Sequence, residues 1–117
     1  MPTYTIIIVW LTTRINGVPN MMKPTWQAAI WKSDISEATL DNELWMCDQF
    51  EPPDDQFPEF YCYPYPNDMP LTTMKSLSVA KGMDQYREDN TPAVYNDEFN
   101  YNPEVNLSWN WTNNPSW

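Results

Sequence analysis

The stretch Tyr4-Thr5-Ile6-Ile7-Ile8-Val9-Trp10-Leu11-Thr12-Thr13 is almost wholly β-branched or aromatic, and it constrains the fold more than any other segment. Read with a period of two, it sets Tyr4, Ile6, Ile8 and Trp10 on one face and Ile7, Val9 and Leu11 on the other. A strand that is apolar on both faces is a central strand. The run from Ile6 to Leu11 is far below the roughly 18 to 20 apolar residues of a membrane helix. Neither basic residues before it nor a small-residue cleavage site after it suggest a secretory signal, so a cytoplasmic or virion location is expected.

Arg14 to Asn20 contains the turn signals Asn16-Gly17 and Pro19-Asn20, joined by a loop longer than two residues. A second strand is predicted from about Thr25 to Lys32, with Trp26, Ala28 and Ile30 opposing Gln27, Ala29 and Trp31. The period then changes. Asp34 as N-cap with Glu37 three residues on has capping-box spacing, and Leu40, Leu44 and Cys47 recur at helical intervals, which predicts a helix over Asp34 to Cys47. From Asp48 to Pro70 the prolines 52, 53, 58, 64, 66 and 70 exclude regular structure. The interleaved rings suggest an extended, polyproline-like segment lying on a surface.

The segment Thr72 to Met83 predicts a short second helix, with Lys81 in its last turn and Gly82 as the C′ residue. After Asn90 the chain is rich in Asn, yet Val105 to Thr112 alternates strictly and reads as a late strand bearing Val105, Leu107, Trp109 and Trp111 on one face. The fold class is therefore α+β. A single domain over 1–117 is expected, with a small antiparallel sheet from the N-terminal hairpin and the C-terminal strand, and one or two short helices. Long irregular segments complete it: residues 34–70 form an acidic helix plus Pro/aromatic stretch, and 88–117 an Asn/Trp-rich arm. The alternative is an all-β sandwich in which 73–81 is a strand.

Charge is unevenly placed. The net charge is −10, while residues 1–33 hold only bases, 34–68 hold ten acids and no base, and the remainder is mildly acidic. So few cations argue against direct nucleic-acid contact. The absence of histidine removes His-based nucleophile activation and His metal ligation, so no enzyme activity, catalytic residue, metal or cofactor is expected. Paired acids such as Asp54-Asp55 or Asp97-Glu98 are read as solvated surface, and the EF-hand spacing is absent. Cys47 and Cys62 lack the further ligands of a zinc site; reduced packing thiols are the default reading in a cytosolic chain, with a single bridge between them as the alternative.

The acidic block is the expected partner surface, through Glu37, Asp41, Glu43, Asp48, Glu51, Asp54, Asp55 and Glu59. Phe57, Phe60, Tyr61, Tyr63 and the end-placed Trp117 are its expected aromatic anchors. The leading functional reading is a non-enzymatic interaction or assembly protein, such as a viral or phage structural accessory of decoration type. Its partners would be protein, either copies of itself or other virion proteins, or a basic host protein, with no nucleic acid and no membrane. One alternative is an acidic, nucleic-acid-mimicking inhibitor of a DNA- or RNA-handling protein, of anti-restriction or anti-CRISPR type. A second is a small carbohydrate-binding domain presenting Trp109 and Trp111.

Overall fold

The computed structural model describes residues 2–12, 14–15, 18–19, 25–50, 59–90 and 100–101. Strand β1 (Thr3–Thr12) lies between two antiparallel neighbours, β4 (Thr25–Ser36) and β5 (Glu59–Pro66). A two-residue strand, β6 (Asn100–Tyr101), joins the outer side of β4 in parallel, for the order β5-β1-β4-β6. Between β1 and β4 the chain forms a small ladder of β2 (Arg14–Ile15) and β3 (Val18–Pro19), in which Ile15 pairs with Val18. The expected long connection thus contains a pairing of its own, Arg14 with Pro19 and Ile15 with Val18. The predicted 105–112 strand, Trp109 and Trp111 included, lies outside the described residues.

One helix covers each face of the sheet. Ile6, Ile8 and Trp10 meet Ala29, Trp31, Ile35 and Cys47, with Leu40 and Leu44 of helix α1 (Leu40–Gln49) against them. On the other face Ile7, Val9, Leu11, Trp26 and Ala28 meet Met74 and Val79 of helix α2 (Leu71–Asn90). The alternation read from the sequence therefore holds in both strands of the hairpin, and the class is α+β, with residues 71–90 helical and not a strand. Each fully enclosed Ile or Val contributes about 1.5–3 kcal/mol relative to exposure, so β1 requires both helices. Among the described residues no helix is long and apolar enough to cross a membrane.

The second strand runs past its predicted end, and the helix begins later than expected. Thr3 pairs with Ser36 and Tyr4 with Ile35, so strand pairing outweighs the local capping signal at Asp34. Asp34 caps nothing; it adopts φ 59° beside a shift in register, a conformation Asp tolerates better than most residues. Its Oδ1 accepts a hydrogen bond from Asn67 Nδ2 at 2.6 Å. Asn67 also donates to Thr3 Oγ1 and accepts from Thr5 Oγ1, so one amide ties the end of β5 to β1 and to this bulge. Helical structure starts as a 3₁₀ turn, Glu37–Thr39, that leads into α1.

A second register shift, between Ile6 and Ile7, places Lys32 opposite Ile6 and Ile30 opposite Ile7. The extra residue is Trp31, and the irregularity brings both Trp31 and Lys32 to the α1 side.

Three further readings are corrected. The proline-rich stretch contains a regular strand: Pro64 and Pro66 occupy alternate positions of an edge strand, where a missing N–H on the outer side interrupts no ladder bond. Cys47 and Cys62 are joined in a disulfide, with Cα atoms 6.4 Å apart, and are not free thiols. The bridge fastens α1 to β5. Gly82 does not end the second helix but lies within it, since α2 continues to Asn90. A Cβ on Gly82 would come within 2.9 Å of Val9 Cγ1 and 3.3 Å of Trp26 Cζ3, so glycine sets how closely α2 approaches the sheet.

Two stability predictions result. Gly82→Ala gains about 1 kcal/mol of helix propensity but overpacks against a stiff buried valine at about 1–3 kcal/mol. A lower urea midpoint is expected; a higher one would show that α2 shifts freely. Replacing both cysteines by serine removes a cross-link spanning 15 residues, with an expected loss of about 3 kcal/mol in denaturant unfolding. An unchanged midpoint would show that the bridge does not hold α1.

Candidate functional site

Helix α1 is only partly committed to the core. Leu40, Leu44 and Cys47 face the sheet, and Phe50, which ends the helix by donating its N–H to the Cys47 carbonyl at 3.1 Å, packs its ring 5.8 Å from that of Trp31. The next strip round the helix, turned by about 100°, carries Asp41, Trp45 and Asp48 at i, i+4 and i+7, all exposed. Trp45 is 61% exposed and Met46 37%. An open tryptophan on a helix is the kind of large apolar group that interfaces employ. Asn42 donates to Met46 Sδ at 3.7 Å, which places the thioether beside an amide on the adjoining strip.

Charge around this strip is one-signed. The 3₁₀ turn and α1 contain Glu37, Asp41, Glu43 and Asp48 and no Lys or Arg. Among the described residues only Glu43 is neutralised: Lys32 Nζ lies 2.8 Å from its Oε2, at the flank of the helix, where the bulge at Trp31 directs it. This pair is half-shielded from solvent and contributes up to about 1 kcal/mol. The other cations whose side chains are described are placed elsewhere. Arg87 pairs with Asp84 along α2, Lys81 lies 5.6 and 5.0 Å from the ring centres of Tyr63 and Tyr65, and Lys75 is enclosed with 2% exposure. Burial holds the Lys75 amine below its ordinary range. Glu37, Asp41 and Asp48 thus meet no cation among the described residues. Partial enclosure raises the Asp48 carboxyl above its usual range.

The expected anchors have a different setting. Phe60 is half-buried on the α1 face, and Tyr61 and Tyr63 are half-buried on the α2 face, so all three serve the chain's own core. Tyr61 stacks at 6.0 Å on Trp26, and its hydroxyl reaches Glu59 Oε2 at 3.4 Å and Asp89 Oδ2 at 3.3 Å. Burial, followed by these two carboxylates, raises its pKa. The Tyr63 hydroxyl is buried with no hydrogen-bond partner among the described residues, and burial, then neighbouring Tyr65 and acids, pushes its pKa up to about 12. Glu51, Asp54, Asp55, Phe57 and Trp117 lie outside the described residues.

Of the expected acidic set, the structure therefore groups Glu37, Asp41 and Asp48 on one open surface, pairs Glu43 with Lys32, and gives Glu59 to Tyr61. Trp45 is the residue that pattern reading passes over. Its signal is nonetheless present: the stripe Leu40, Leu44, Cys47 leaves Trp45 on the next strip of the same helix. Among the described residues no group of three or more His, Cys, Asp or Glu is arranged to hold a metal ion. Comparison with protein-family models, curated proteins and solved structures finds no match in any of the three.

Asp48 gives a pH prediction. Its folded pKa exceeds the unfolded one, so between the two values the folded chain binds more proton, and stability falls as pH rises through that window. Asp48→Asn is expected to be at least as stable as the parent at pH 7 and to flatten that limb of the stability profile. Carboxyl NMR titration of the folded parent checks the premise: an Asp48 pKa above about 3.9 is expected, and a lower one contradicts it.

Proposed function

We propose that this protein is a non-catalytic interaction component that engages a basic protein partner through the outer face of α1. The observation that carries the reading is Trp45, 61% exposed among carboxylates that have no cation of their own among the described residues. Exposed rings supply contact area at low entropic cost, and the surrounding charge accelerates encounter with a cationic surface. The chain has no histidine, which favours binding over catalysis.

Protein docking is favoured over nucleic-acid mimicry on the same helix. A mimic needs rows of free carboxylates, whereas here Glu43 is neutralised by Lys32 and Trp45 with Met46 interrupts the row. The Cys47–Cys62 bridge favours an oxidising setting, such as an extracellular medium, a periplasm or a particle surface, over the cytoplasm expected from the sequence. A subunit of a larger assembly would satisfy all of these features.

Affinity capture with the oxidised full chain tests the proposal, run in parallel with Trp45→Ala and with Asp41→Asn/Asp48→Asn. A partner retained by the parent at low salt, released as salt rises, and lost by both variants is expected. Retention by both variants would overturn the reading.

A further inference from the structure

We infer that the α1 face selects arginine over lysine in its partner, with one guanidinium laid on the Trp45 indole and held at its edge by Asp41 or Asp48. The inference rests on the docking role proposed above and specifies the group that is recognised. Its basis is the spacing of three exposed side chains. Asp41 lies four residues before Trp45 and Asp48 three residues after it, so a carboxylate stands one turn to either side of the ring on the same strip. Along the axis the two acids are about 10 Å apart, with the indole between them.

A planar, weakly hydrated guanidinium can stack on an aromatic face and direct its N–H fork at a carboxylate at the same time. An ammonium is a compact, strongly hydrated point charge; it can attract the ring or the acid but matches this arrangement less well. Met46 and Asn42 on the adjoining strip offer an apolar and an amide surface for the arginine stem. No described cation of the chain competes for the place: Lys32 is held by Glu43, Arg87 by Asp84, Lys81 over two tyrosines, and Lys75 is enclosed. The open ring and the two carboxylates complement an arginine-bearing segment of a partner protein.

The test is calorimetric titration of the oxidised full chain with two synthetic peptides of equal length and charge, one alternating Gly and Arg, the other Gly and Lys. Tighter binding of the arginine peptide by about 2- to 5-fold is expected, the range of an exposed cation–π contact. Trp45→Ala should abolish that preference while leaving lysine-peptide binding nearly unchanged, and Asp41→Asn/Asp48→Asn should weaken both peptides. Glu88→Gln on exposed α2 is the control that should alter neither. Equal binding of both peptides, lost only in the double Asn variant, would overturn the arginine inference and leave the docking role standing. Binding that ignores Asp41, Trp45 and Asp48, or no binding, would overturn both.

Discussion

The structure depends on the burial of β1 from every direction. Ile6, Ile7, Ile8, Val9 and Trp10 are fully enclosed, strands pair along both edges, and a helix closes each face. An acidic chain of 117 residues has few aliphatic side chains to distribute, and it concentrates Ile6, Ile7, Ile8, Val9 and Leu11 in this one strand. The remaining elements are positioned by what β1 needs covered. Gly82 allows α2 to lie close to Val9 and Trp26, and the bulge at Trp31 turns a large ring and Lys32 toward α1.

The candidate docking face is a consequence of how lightly α1 is held. A helix of ten residues is marginal by itself. Only Cys47 is fully buried in it, and its fastening consists of the disulfide to β5, the flanking contacts of Leu40 and Leu44, and the Lys32–Glu43 pair. Because so little of the helix turns inward, Asp41, Trp45 and Asp48 remain open to solvent. Covalent attachment thus substitutes for apolar area, and the area left over is what a partner can contact.

Much of the sheet was legible in the sequence because β1 and the Trp26 to Trp31 part of β4 alternate, and the facing sets Ile6/Ile8/Trp10 and Ile7/Val9/Leu11 recur in the two core layers. Where reading failed, long-range pairing overrode a local signal. Asp34 and Glu37 carry capping-box spacing, but pairing of Ser36 and Ile35 with Thr3 and Tyr4 extends the strand past Asp34 to Ser36. Prolines 64 and 66 suggested irregular chain, and their compatibility with an edge strand depends on a neighbour present on one side only. The bridge between Cys47 and Cys62 depends on α1 lying against β5, a distance that spacing alone does not provide. The acidic character of the site was visible, whereas its aromatic centre needed the helix phase to be applied to Trp45 as well as to the leucines.

The central claim is that β1 is the strand around which both layers form. Native-state hydrogen exchange on the oxidised full chain, followed across low concentrations of denaturant, measures this directly. The account predicts that the amides of Ile6 to Trp10 exchange only through global unfolding, with α1 and the ends of α2 opening at lower free energy. Exchange of the β1 amides by a local opening, at a free energy below that of either helix, would contradict it.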